Sequence, residues 1–361
     1  MKPAILLNDF NGGGAERLVK DLSIALDRRD DVDPVVVASE SRGELEAAFR
    51  SSPVELRVLG AEVTMGGVAG GVTELVSCLR EREVDVVHSH LAFSDLIGRL
   101  ACARLSLPHV STYHNVEEKR PALKQVVEHA TRRLSDRILC VSEGVRQSYG
   151  NHPRMSVVYN AIDVAGFARR VEQANQDAVP PAVREAETVF LNVGRCVEVK
   201  RQWDLITAVE QLDASDCHLV IVGDGPQRPE LEALVAERGL SEQVTVTGFV
   251  ESVEPYYAVA DAFVSASGKE GLPTTHIEAM AAALPVVSTD IPGVRELVAD
   301  GTTGYLSPVG EPGTLADLLE RVHRRGCQTL GRRGYQAAES TFAIEQIAAE
   351  HASLYREVTT E

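Results

Sequence analysis

Short apolar or β-branched runs punctuate the first half of the chain at Ala4–Asn8, Pro34–Ala38, Val54–Leu59, Asp85–His88, His109–Thr112 and Arg137–Val141. Segments of helical period separate them, among them Ala15–Leu26, Val72–Arg82, Leu91–Arg104 and Val116–Ser135. Strands alternating with helices predict a parallel sheet, because parallel neighbours need a crossover and a helix supplies it. The pattern breaks at 164–187, which is charged, carries Pro180-Pro181 and shows no strand period. It reads as a linker between domains. The alternation then restarts, with strands expected at Thr188–Val193, His218–Val222, Val244–Thr247, Ala262–Ser265 and Val286–Thr289. Helices are expected at Arg201–Leu212, Arg228–Arg238, Val253–Ala260 and Thr274–Ala283, and an amphipathic one at Thr341–Val358.

The fold class expected is therefore α/β, with two Rossmann-like, doubly wound domains and an interdomain cleft. The domains would be 1–163 and 188–340, joined by the linker 164–187 and followed by a C-terminal helix at 341–361. A length of 361 residues fits two domains. No apolar run approaches the roughly 18 residues that span a bilayer, and the first run stops at Asn8 and reads as a buried strand rather than a signal peptide. The expected location is cytoplasmic, with peripheral contact at the inner face of the membrane as the only membrane association.

Charge and cysteines narrow the classes further. The net charge of −17 disfavours nucleic acid as a partner. Residues 1–163 carry 20 basic and 23 acidic side chains, the remainder 16 and 30, so the halves are expected to meet different partners. Cys78, Cys102, Cys140, Cys196, Cys217 and Cys327 show no CxxC spacing, which argues against a zinc site or a disulfide framework. From Arg99 to Arg146 nine Lys and Arg stand against five acids, with Lys119, Arg120, Lys124, Arg132 and Arg133 at its centre. This stretch reads either as a solvated helix face or as a dock for an anionic membrane or lipid-linked diphosphate.

The most informative run is Glu270-Gly271-Leu272-Pro273-Thr274-Thr275-His276-Ile277-Glu278-Ala279-Met280. A loop carboxylate, exposed backbone N–H groups and a helix N-terminus converge there. The free N–H groups and dipole of a helix start favour phosphate, and Glu278, one to two turns in, can accept hydrogen bonds from paired hydroxyls. Phosphate beside a diol is what a nucleotide-sugar presents. At the end of Thr188–Val193, Arg195 and Lys200 flank a turn and can grip both phosphates of a diphosphate; Arg201 is the adjacent alternative to Lys200. Gly12-Gly13-Gly14 follows the first strand and lets backbone approach a ligand, but Arg17 breaks the dinucleotide fingerprint. His88 and His90 lack a partner cluster for a metal and read as loop-shaping or acceptor-side residues.

The Glu270–Glu278 segment resembles the paired-glutamate motif of retaining glycosyltransferases of family four, which have the GT-B fold. Gly13-Gly14-Ala15-Glu16, Gly194-Arg195 with Lys200, Gly248-Phe249 and Tyr159-Asn160-Ala161-Ile162-Asp163 are similar to other stretches of that family, with Ala161, Ala283 and Pro292 standing where glycine is common. The resemblance covers nearly the whole chain. It implies that the C-terminal helix crosses back to the first domain.

It also implies transfer of a sugar, with retention, from a UDP- or GDP-sugar donor to a glycan or lipid-linked acceptor in polysaccharide or glycoconjugate synthesis. Glu278 would hold the ribose; Glu270 and the backbone of Gly271 and Leu272 would orient the sugar and phosphates. Arg195 and Lys200 would stabilise the leaving diphosphate. His114 would touch a sugar hydroxyl, Gly13 and Gly14 would lie near the diphosphate and acceptor, and Gly248 and Phe249 near the base. No Asp-x-Asp motif is present, and neither a metal nor another cofactor is expected to be required. The alternatives are a GT-B nucleotide-sugar epimerase and a catalytically inactive glycan-binding protein.

Overall fold

A computed structural model describes residues 1–11, 13–117, 122–150, 152–214, 216–325 and 327–360. The chain forms two compact units, Met1–Ala161 with Ile344–Glu361, and Ile162–Ala343. The first unit runs β1 (Pro3–Leu7), α1 (Gly14–Asp27), β2 (Val35–Ala38), α2 (Glu46–Arg50), β3 (Glu55–Val58), α3 (Val68–Glu81) and β4 (Val86–His90). It continues with α4 (Ala92–Leu105), β5 (His109–Tyr113), α5 (Ala122–Arg132), β6 (Arg137–Cys140), α6 (Glu143–Ser148) and β7 (Met155–Val157). The strands are parallel in the order β3-β2-β1-β4-β5-β6-β7.

Strand β1 shows why the runs lack strict alternation. Ile5 and Leu7 pack with Leu18, Leu22 and Leu26 of α1, while Ala4 and Leu6 pack with Leu75, Leu79 and Ile97 of α3 and α4. A parallel strand covered on both faces needs apolar residues at every position.

The second unit holds α7 (Val164–Glu172), α8 (Pro181–Arg184), β8 (Thr188–Val193), α9 (Gln202–Glu210), β9 (Cys217–Val222), α10 (Arg228–Glu237), β10 (Val244–Gly248) and α11 (Glu254–Val259). It ends with β11 (Ala262–Ser265), α12 (Thr274–Ala281), β12 (Val286–Thr289), α13 (Pro292–Arg295), β13 (Gly304–Ser307), α14 (Pro312–Arg325) and α15 (Gln328–Thr341). Its parallel sheet has the order β10-β9-β8-β11-β12-β13. The order therefore reverses between β1 and β4 in one unit and between β8 and β11 in the other. Open parallel sheets bind ligands outside the carboxyl ends of the strands at such a reversal.

The last helix, α16 (Ile344–Thr360), belongs to the first unit and packs on α1 through Ile347, Ala348, Tyr355 and Val358. Residues 164–187, expected as a linker, instead cluster with the second unit. Asp163 caps α7 by accepting the Gly166 N–H at 2.8 Å, and Val164, Phe167 and Val171 are buried as α7 packs on α11, α12 and α15. Strands β7 and β13 were not anticipated. The helix expected from Val116 is described only from Ala122; residues 118–121 lie outside the described set.

Candidate active site

In the second unit the carboxyl end of β8 leads into Gly194 and Arg195. Gly223, at φ +144°, brings the β9 turn so close that a Cβ there would lie 2.1 Å from the Gly194 carbonyl oxygen. Only glycine fits that approach, so Gly223 shapes the turn that carries Arg195. The Arg195 side chain is exposed, and no ion pair engages it among the described residues.

Lys200 closes a short 3-10 turn, and its Nζ donates to Glu270 Oε1 at 2.6 Å. The two side chains are 22% and 16% exposed, so the pair is largely shielded yet reachable. The Gly268 N–H donates to the Val199 carbonyl at 2.8 Å and ties the Glu270 loop to the lysine turn. Gly293 lets the opposite wall approach: a Cβ there would lie 2.1 Å from the Gly271 carbonyl oxygen. Pro292 starts α13, where its missing N–H costs no helical bond.

Pro273 precedes α12 and offers no side-chain cap, so the first N–H groups of that helix look for acceptors elsewhere. Glu278, on its second turn, is buried and accepts from the Tyr257 hydroxyl at 2.9 Å. His276 is buried, with Nε2 2.8 Å from Ser288 Oγ, and its pKa is pushed down to about 3, by burial and then by Lys200. At the next strand end Gly248 takes φ +76° against the Arg228 guanidinium, and Phe249 is 54% exposed.

In the first unit a cavity of about 350 Å³ opens where β1, β4 and β5 end, lined by Asn8, Leu91, Phe93, Arg99, His114 and Val127 among others. Asn8 Oδ1 accepts from the N–H and hydroxyl of Ser94 and so fixes the start of α4. Leu91, at φ +74°, holds a backbone region that costs a branched side chain roughly 1–3 kcal/mol. The strain sits at the strand-order reversal, where it aims the chain into the cavity wall.

His90 Nδ1 and His114 Nε2 lie 2.9 Å apart, so one nitrogen carries the shared proton. His90 is buried and its Nε2 has no partner among the described residues. An orphaned buried N–H is the costlier defect, which favours His90 donating from Nδ1 and His114 keeping its own proton on Nδ1. Burial pulls the His114 pKa down to about 4. The ring is neutral at pH 7 and its remaining nitrogen is a donor.

Two family models divide the chain: Glycosyltransferase Family 4 matches residues 12–165 and Glycosyl transferases group 1 matches 174–338. The chain belongs to these family-four, group 1 glycosyltransferases. An N-acetyl-alpha-D-glucosaminyl L-malate synthase of Bacillus anthracis is 25% identical over 309 residues, 79% of this chain and 78% of its own. An alpha-maltose-1-phosphate synthase of Mycolicibacterium smegmatis is 28% identical over 384 residues, 96% of each. The structure of Anabaena HepE with UDP and glucose matches at a TM-score of 0.83 and 21% identity, over 99% of this chain and 100% of that one. The fold is GT-B.

Within the transferase, the second unit gathers Lys200, Glu270, Gly271 and Leu272 at the loop after β11 and Glu278 on the helix behind it. Lys200 and Arg201 separate cleanly: Arg201 donates to Asp204 Oδ2 at 2.7 Å and lies over the Trp203 ring, while Lys200 takes Glu270. Gly13 and Gly14 start α1 and do not line the cavity that holds His114; the Glu16 carboxylate folds back over Gly13, within 2.4 Å of where a Cβ would be. Gly12, Lys119 and Arg120 lie outside the described residues, as does the side chain of Lys124.

Within the basic stretch, several of the described side chains are committed inside the first unit. Arg99 is buried, Arg137 pairs with Glu357 at 2.6 Å and Arg146 with Glu143 at 2.7 Å. Arg104 and Arg133 remain exposed. No helix among the described residues is long and apolar enough to cross a membrane. Tyr257 and His276 are the neighbours of these side chains that sequence reasoning gave no role, while His90, read as loop-shaping or acceptor-side, meets His114. The signal for His276 was its place inside the glutamate run.

Proposed function

We propose that this transferase moves a sugar, with retention, from a UDP- or GDP-sugar to a hydroxyl of a glycan or lipid-linked acceptor in glycoconjugate synthesis. The observation that carries the reading is the Lys200–Glu270 pair at the strand-order reversal of the second unit, beside exposed Arg195 and the uncapped start of α12. Two cations facing a leaving diphosphate stabilise charge that grows in the transition state. Glu278 is the acceptor for ribose hydroxyls, and Tyr257 fixes its orientation. His114 donates to a sugar oxygen. The family resemblance supports attack on the face the diphosphate leaves: the C1–O(phosphate) bond breaks, C1–O(acceptor) forms, and the phosphate takes the acceptor proton. HepE, solved with UDP and glucose, supports the donor class.

The deciding experiment incubates nucleotide-sugars with and without candidate acceptors. Release of UDP or GDP that depends on acceptor, with the α-anomeric bond kept, supports the reading. Isomerised donor would make the protein an epimerase, and binding without turnover a glycan-binding protein.

Turnover is expected to survive EDTA, because Arg195 and Lys200 supply the charge that a metal otherwise would. Loss in chelator that Mg²⁺ or Mn²⁺ restores would overturn that expectation. Glu278→Ala should weaken donor binding about ten- to a hundredfold, since one charge-assisted hydrogen bond is worth roughly 1.5–3 kcal/mol. The fold should hold, because the Tyr257 hydroxyl keeps the Thr275 carbonyl at 3.2 Å. Calorimetry that finds an unchanged Kd would remove Glu278 from the site.

A further inference from the structure

A second cluster of ligating groups lies at the amino end of the second sheet, away from Arg195 and Lys200. Asp216 immediately precedes β9, which begins at Cys217; Glu187 precedes β8, and His323 sits in the last turn of α14. One ligating atom each from Asp216, Cys217 and His323 lies within 4.8 Å of the others. His323 Nε2 is 3.7 Å from Asp216 Oδ1. A tetrahedral ion with bonds near 2.0–2.3 Å sets its ligand atoms roughly 3.3–3.8 Å apart, so small side-chain rotations close the site.

We propose that Asp216, Cys217 and His323 bind a borderline divalent transition-metal ion, with Zn²⁺ as its type. Two observations support it independently of the sugar-transfer reading. The donor set of one thiolate, one imidazole and one carboxylate suits Zn²⁺ and not Mg²⁺ or Ca²⁺, which take oxygen. His323 Nδ1 lies 2.8 Å from Thr188 Oγ1; a ring N–H held by an outer partner turns the other nitrogen's lone pair to the metal, as metal-binding histidines require.

The Glu187 N–H donates to the Asp216 carbonyl at 3.0 Å, which sets the two residues side by side. Glu187 or water supplies the fourth position. Binding releases the Cys217 proton to solvent and clips the end of α14 to the starts of β8 and β9. The ion would stabilise the second unit and take no part in transfer. None of this is legible in the cysteine spacing, because Cys217 and His323 are 106 residues apart.

Titration of the chelator-treated full chain with Co²⁺ tests the site. A thiolate-to-Co²⁺ charge-transfer band should appear at one equivalent, vanish in Cys217→Ser and be displaced by Zn²⁺. Zn²⁺ should raise the unfolding midpoint of the wild type. Thr188→Val, which removes only the outer hydrogen bond, should weaken Zn²⁺ about ten- to a hundredfold, and His323→Gln should weaken it further while leaving the circular dichroism of the apo protein unchanged. Absence of the band, or a band that persists in Cys217→Ser, overturns the proposal. So does a Zn²⁺ affinity that His323→Gln does not change. Acceptor-dependent nucleotide release should be equal with and without Zn²⁺, so failure here leaves the transfer reading untouched.

Discussion

Lys200→Ala should lower kcat/KM for sugar transfer by about two to three orders of magnitude, the cost of removing one preorganised group that faces developing charge, roughly 2.7–4 kcal/mol. Arg201 cannot replace it, since that guanidinium is committed to Asp204 and Trp203. The loss should fall mainly on kcat, because charge on the diphosphate is greatest as the sugar leaves. The competing explanation is an ion pair that only pins the loop, since Lys200 and Glu270 meet at 2.6 Å. The two readings separate in a double-mutant cycle with Glu270→Gln. A structural pair predicts a lower unfolding midpoint in both single variants and little change in kcat. A catalytic lysine predicts a collapse of kcat at near-constant midpoint. A Lys200→Ala enzyme with wild-type kcat/KM would leave Arg195 as the sole cation of the site.

Strands with dense β-branched runs were legible: Thr188–Val193, Ala262–Ser265 and Val286–Thr289 lie where the sequence pattern put them. Strand β7 has three residues and β13 opens on Gly304, too little signal for period-2 counting. Helix α7 did carry a signal: Val164, Phe167 and Val171 form a stripe behind the Asp163 cap. The surrounding charge and Pro180-Pro181 outweighed it, and the tertiary surface of α11, α12 and α15 decides the outcome.

For the site, residue types and strand ends were readable but pairings were not. Lys200 and Glu270 are 70 residues apart and His90 and His114 are 24, so only the sheet order brings them together. The same holds for Tyr257, whose hydroxyl reaches Glu278 from another helix. Arg99 shows the converse error. It counted as surface charge in the linear sequence, yet α4 turns it inward, where hydroxyls of Ser111, Tyr113, Thr131 and Ser135 receive its N–H groups.

Arg99→Met should destabilise the first unit by about 3–5 kcal/mol at pH 8, the usual cost of leaving one partner of a buried ion pair behind, and by less at pH 5. Arg99 Nη2 lies 3.7 Å from Asp95 Oδ2, and both side chains are nearly inaccessible. Asp95 also accepts from Ser89 Oγ at 2.8 Å. Burial pushes the Asp95 pKa up to about 6 against the pull of Arg99 in the other direction. A carboxyl whose folded pKa exceeds its unfolded value near 3.9 holds its proton longer in the native state, so stability falls as pH rises from about 4 to 6 and levels off above. Removing Arg99 deletes the opposing pull. The folded pKa of Asp95 then rises further, and the decline in stability extends above pH 6, where the wild type has already levelled. The gap between wild type and variant must therefore widen from pH 5 to pH 8. Urea denaturation at the two pH values measures it. Asp95→Asn added to Arg99→Met should flatten the pH dependence and return part of the loss, because the neutral amide needs no counterion. An equal loss at both pH values would assign the cost to the cavity and the four lost hydroxyl contacts, and the buried charge would then carry none of it.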